Sequence, residues 1–184
     1  MVESLQLVPL ALSSGEGLPA LGLLDRLAAE AARLLHASCR VEPPQLSVDF
    51  AFDTLRRQTW STPVLSRLQQ RPRRDGAVTL GVTELDLYVP VLTFVFGEAQ
   101  LRGPAAVVSA HRLRDEYYGM PGDEDLLLQR LLKETLHELG HTQGLRHCTD
   151  WRCVMSSAHT VERIDIRQAG FCAACAALLP ARFG

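Results

Sequence analysis

The sequence predicts a mixed α/β fold of one domain over residues 1–184. It should hold a twisted mixed sheet of about five strands, a long helix near residues 123–143 and a C-terminal segment stapled by four cysteines. Three observations carry this expectation. Short β-branched and aromatic runs alternate with amphipathic stretches of helical length. A chain of 184 residues, 47% hydrophobic and 22% charged, can bury one sizeable core and needs no second domain. Four of the five cysteines fall within residues 148–175.

Taken in order, residues 5–10 read as a short apolar strand. Residues 18–35 read as an amphipathic helix, with Leu21, Leu24, Leu27, Ala31 and Leu34 on one stripe and Pro19 in the first turn. Pro43 and Pro44 break the chain before a candidate strand at residues 45–50. Residues 62–70 suit a short helix behind Pro63, and residues 73–76 a loop. Residues 77–82, 91–96 and 105–109 are three further strands, followed by the long helix. On that helix Leu128, Leu131, Leu132, Leu136 and Leu139 can face the sheet while its histidines face a cleft. The chain contains no internal repeat or low-complexity tract.

The end of this helix carries the chemistry. His137-Glu138-Leu139-Gly140-His141-Thr142-Gln143-Gly144-Leu145-Arg146-His147 spells H-E-x-x-H-x-x-G-x-x-H, the metzincin pattern. A four-residue step on a helix turns about 400° and rises about 6 Å, so His137 and His141 project from one face and can share a tetrahedral zinc. Gly144 reaches positive φ without a Cβ penalty, ends the helix and frees His147 to approach from another direction. Three neutral imidazoles leave a fourth position for water, which separates catalytic from structural zinc. Glu138 follows the first ligand and is assigned as general base, then proton donor.

A second constellation follows directly. Cys148, Cys153, Cys172 and Cys175 form two close pairs, which read as a structural zinc site with all four positions filled by thiolate. Two disulfides are the competing reading; the lack of a signal-peptide pattern points instead to a reducing cytosol. Cys39 stands apart as a buried apolar thiol. His147 and Cys148 are neighbours bound for different ions, so the two metals should be mechanically linked. Met155 is the candidate for a Met-turn beneath the histidine site, with ordinary core packing as the overlapping alternative.

From His137 to Cys175 the string H-E-L-G-H-T-Q-G-L-R-H-C-x4-C-x-M and then C-x-x-C closely resembles the archaemetzincins. The runs Gly81-Val-Thr-Glu-Leu-Asp-Leu-Tyr-Val-Pro, Phe94-Val-Phe-Gly-Glu-Ala and Val108-Ser-Ala-His-Arg-Leu113 are similar to that family too. The resemblance implies a compact metzincin-like metallopeptidase with two zinc ions per chain, one catalytic and one structural. It names no substrate. Metzincins present an edge strand to an extended peptide, and residues 93–99 are nominated for it, with an interior strand as the other possibility. No tyrosine follows Met155, so the tyrosine that some metzincins place after the Met-turn has no counterpart. Tyr117 and Tyr118 could donate to an oxyanion but suit packing better, His111 and His159 read as bystanders, and Glu162 is a gluzincin-style ligand candidate made redundant by His147.

Nineteen basic and 21 acidic residues give a formal net charge of −2, with no global positive field for nucleic acid or an anionic membrane. No apolar run reaches membrane-span length, and Glu3 with no early Lys or Arg does not suit a signal peptide. The expectation is a cytoplasmic monomer acting on peptides as a zinc-dependent peptidase, with aminopeptidase action one form of it. Asp86 and Glu98 are candidate acceptors for a substrate amine. The rival reading is a non-catalytic or weakly active zinc-binding interaction module. Glu138 argues against it, because a scaffold needs no base beside its ligands.

Overall fold

A computed structural model describes residues 4–43, 46–73 and 76–179. The chain order is β1 (Ser4–Ala11), α1 (Leu21–Leu35), β2 (Ser38–Val41), β3 (Leu46–Ser47), β4 (Phe52–Asp53), β5 (Gln58–Trp60), α2 (Ser61–Gln69), β6 (Ala77–Thr83), β7 (Leu87–Tyr88), β8 (Gly97–Ala99), β9 (Ala105–Ser109), α3 (Glu124–Thr142), α4 (Val161–Asp165) and α5 (Ala173–Ala176). The main sheet runs β2-β1-β6-β9-β8, with β3 also pairing β1, one strand more than expected. All its pairings are parallel except β8 on β9, so β8 is an antiparallel edge. A smaller sheet joins β4, β5 and β7.

Strand alternation divides the core into two layers. Leu5, Leu7, Leu80, Val82, Ala106 and Val108 point toward α1 and α3. Val8, Leu10, Ala105 and Val107 point the other way, toward Val64, Leu65 and Leu68 of α2. With both faces covered, β6 and β9 are buried throughout, as parallel strands between helices require.

Three expectations need correction. The first helix begins at Leu21, because residues 15–18 are held in a turn: Leu18 N donates to Gly15 O, and Gly17 O accepts from Glu84 N at 2.8 Å. Pro19 therefore precedes the helix, Leu21 is 62% exposed, and the buried face is Leu23, Leu24, Leu27, Ala28, Ala31 and Leu35. Residues 91–96 form no strand. The carbonyl of Thr93 accepts from the side chains of Arg56 and Gln58, and only Val95 bridges Leu87, so the run's apolar side chains wall a cavity instead of joining a ladder. The expected strand at residues 45–50 shrinks to Leu46–Ser47, after which Asp49–Ala51 turns as a 3-10 helix. Its first residue, Gln45, lies outside the described residues, as do Pro44 of the expected break and residues 74 and 75 of the expected loop.

The helix over residues 123–143 is found as α3. Asp123 caps it, its carboxylate accepting from Asp125 N at 3.0 Å and Leu126 N at 2.9 Å, and Glu124 and Asp125 lie at the positive end of the helix dipole. All five leucines expected to face the sheet are buried.

Candidate functional site

The helix ends as its sequence requires. Gly144 has φ +94°, Gly144 N donates to His141 O, and Leu145 N donates to Gly140 O at 3.0 Å, so the chain reverses and brings His147 back toward α3. The ring nitrogens of His137, His141 and His147 fall within 4.8 Å of one another. Two carbonyls set the rings. His137 Nδ1 lies 2.7 Å from Val154 O and His141 Nδ1 lies 2.8 Å from Leu145 O. Each Nδ1 therefore carries the proton and donates, and each Nε2 is left with a lone pair.

Those two Nε2 atoms are 3.1 Å apart. Lone pairs at that separation repel unless a Lewis acid lies between them. A tetrahedron with metal–nitrogen bonds of about 2.0–2.1 Å has an edge of about 3.3–3.4 Å, so the donor set fits zinc. Burial pushes His137 down to about 3 and also lowers His141 and His147, which keeps the ligands neutral.

Glu138 is buried against the edge strand. A Cβ on Gly97 would come within 2.7 Å of Glu138 Oε1 and 2.7 Å of Val107 O, so only glycine lets the carboxylate approach β8 this closely. Burial first, then the nearby charges of Glu134 and Glu98, raise the Glu138 carboxyl well above the ordinary range, with Arg167 opposing. Met155 is fully buried beneath the helix: a Cβ on Gly140, between the two helix histidines, would overlap Met155 Sδ.

The four cysteines also converge, with their sulfurs within 4.8 Å of one another. Cys148 Sγ and Cys172 Sγ are 3.8 Å apart, too far for a disulfide of about 2.05 Å and equal to the tetrahedral edge expected for zinc–sulfur bonds of about 2.3 Å. Cys172 N donates to Cys153 Sγ at 3.3 Å, and all five cysteines are free thiols. Cys39 packs at the core margin, and burial raises its thiol to about 11.

The histidines open on a cavity of about 790 Å³ walled by residues 92–99, with His159 also on its lining. The nominated edge is real but shorter than expected, since only Gly97–Ala99 is strand. Asp86 is already bound by Arg112 through two hydrogen bonds and by Gln58. Glu98 turns toward α2 and accepts from Ser61 and Thr62. Tyr118 donates to Arg112 O, and neither tyrosine lines the cavity. Sequence reasoning missed Gly97, Glu134 and Arg167, all on the cavity wall. A local signal existed for Glu134 alone, which lies one turn before Glu138 on the same helix face.

Comparison with known proteins agrees with this geometry. Residues 65–181 match Peptidase family M54. The chain is 44% identical over 126 residues to the archaemetzincin of Thermococcus kodakarensis, covering 68% of each protein. It is 42% identical over 137 residues to that of Methanocaldococcus jannaschii, covering 74% of each. The crystal structure of the Archaeoglobus fulgidus archaemetzincin complexed with malonate superposes with a TM-score of 0.81 at 33% identity, over 96% of this chain and 99% of that one. The chain belongs to peptidase family M54, among the archaemetzincins, and is a zinc-dependent peptidase.

Proposed function

We propose that His137, His141 and His147 hold the catalytic zinc, that Glu138 is the general base, and that Cys148, Cys153, Cys172 and Cys175 hold a second, structural zinc. The observation that carries this reading is the pair of Nε2 lone pairs 3.1 Å apart, each fixed by a carbonyl behind its ring and flanked by a buried glutamate. Zinc in the histidine site supplies a Lewis acid for the scissile carbonyl and brings the pKa of water to about 7.

The chain's own residues do the rest. Gly97 leaves room for Glu138 to lie beside the edge strand, where an extended substrate can pair with β8. Glu138 takes the proton from the attacking water and passes it to the leaving amine. Met155 supports the helix beneath the ligands as the Met-turn residue.

Residues 1–184 act as one peptidase domain, a monomer that works on peptides in the cytoplasm. The charge of −2 supports function without nucleic acid. Among the described residues no helix is long and apolar enough to cross a membrane.

The test compares zinc-loaded wild type with Glu138→Ala on a mixed-length peptide library read by mass spectrometry, with zinc per chain measured for both. Two zincs and cuts that depend on Glu138 are expected, and the cut positions separate end-trimming from internal cleavage. A kcat loss of about 10²–10⁴-fold is the expected size for a lost general base. Cleavage that survives Glu138→Ala overturns the assignment of the base.

A further inference from the structure

Arg167 has no role in the mechanism above, yet it lies on the wall of the same cavity as His137, Glu138 and His147. It follows α4, and its side chain is 1% exposed. Nη1 donates to Glu134 Oε1 at 2.7 Å, and Glu134 is itself 4% exposed. Nε has no hydrogen-bond partner among the described residues. Its charge is felt at His137, Glu138 and His147. A guanidinium has five N–H donors in a planar fork, and the single bond to Glu134 leaves most of that fork unused.

A buried ion pair that fastens α4 to α3 would be the plain explanation, but that junction is already fastened. Arg130 binds Asp165 through Nε at 2.7 Å and Nη2 at 2.8 Å. Lys133 Nζ donates to Asp165 O at 2.9 Å and to Ile164 O at 3.2 Å. A third charged fastening with an unmatched buried donor destabilises the fold unless something else meets that donor. Arg167 borders the cavity that a peptide substrate would enter, and planar bidentate donors match a carboxylate.

We propose that Arg167 is a specificity residue that binds a carboxylate of the peptide next to the scissile bond, with Glu134 holding the guanidinium in place. The carboxylate comes from an acidic side chain or from a free C-terminus, and either source presents the same planar group. The inference rests on the histidine site being the catalytic centre.

Two matched peptide pairs test it. One pair carries Glu or Gln beside the cut, and the other ends in a free acid or an amide. Wild type is expected to favour the carboxylate member of at least one pair about tenfold or more in kcat/KM, mainly through KM, the size of one charge-assisted hydrogen bond. The pair that discriminates names the source. Arg167→Gln should bring the ratio to within about twofold, and Arg167→Lys should keep part of it.

Calorimetric binding of the same peptides to zinc-loaded Glu138→Gln reads affinity without turnover. A chain that cuts nothing but still prefers the carboxylate peptides would sink the mechanism and leave this proposal standing. If Arg167→Gln does not fold, Glu134→Gln decides. It removes the carboxylate that holds the guanidinium in place, so discrimination should fall, whereas a purely structural pair predicts no change. Equal cleavage and equal binding of both pairs by wild type overturns the proposal.

Discussion

The histidine and cysteine sites stand side by side in sequence, since His147 and Cys148 are adjacent, but they are built differently. Two of the three histidines sit on a nineteen-residue helix packed on the sheet, and two carbonyls aim their rings. The cysteines sit on turns, one isolated bridge and a four-residue helix. The first site is positioned by the helix and by the two carbonyls behind its rings. The second consists of segments too short to hold themselves, so the proposed structural zinc would supply much of the order around it. Under the proposed assignment His147 belongs to the first site and its neighbour Cys148 to the second, so the two unequal sites should be interdependent.

The largest effect should come from breaking the weaker scaffold. Cys148→Ser should leave about one zinc per chain, lower the thermal midpoint by about 10 °C or more, and weaken zinc binding at the histidines through His147. Unchanged affinity at the histidine site would show that the sites are independent. Next in size is Gly97→Ala, whose Cβ meets Glu138 and the Val107 carbonyl. Displacing the base by about 1 Å should reduce kcat about a hundredfold with zinc content unchanged, so base placement and metal binding separate in one variant. Gly140→Ala should have a smaller effect, about 1–3 kcal/mol of overpacking against Met155, partly offset by alanine's better helix propensity of about 1 kcal/mol. Adding Met155→Val should recover part of the loss, and two strictly additive stabilities would refute the contact.

The smallest effect is a pH dependence in the metal-free chain. The Glu138 carboxyl is raised above its ordinary 4.5 in the folded state, first by burial. Its contribution to stability is complete below about 4.5 and is lost as pH rises through the raised folded value. Chelated Glu138→Gln escapes that loss, so its thermal midpoint should exceed that of chelated wild type at high pH and approach it toward about pH 4. Zinc should shrink the difference, because a nearby cation pulls the carboxyl back down. A constant offset across the range would place the carboxylate in water rather than in the buried position described.

Most of the candidate site was legible because its ligands are local. His137, Glu138 and His141 share one helix, Gly144 follows it, and helical periodicity converts their spacing directly into geometry. Helix α3, strands β1, β6 and β9 and helix α2 were legible for the same reason, since each carries its own periodic pattern or turn residue. Residues 91–96 were misread because their apolar composition is identical for a strand and for a cavity wall, and hydrogen bonds from Arg56 and Gln58 decided between them.

The sequence by itself determined the proposed metal ligands, the proposed base beside them, the helix that carries them and the cysteines that follow, because their chemistry and spacing act within a few turns of chain. Only the tertiary structure decided how short the edge strand is, that Gly97 must be bare for Glu138 to fit, and that Arg167 meets Glu134 on the cavity wall across 33 residues. Those features depend on which surfaces meet when the sheet, α3 and the C-terminal segment pack, and no local period in the chain encodes such a meeting.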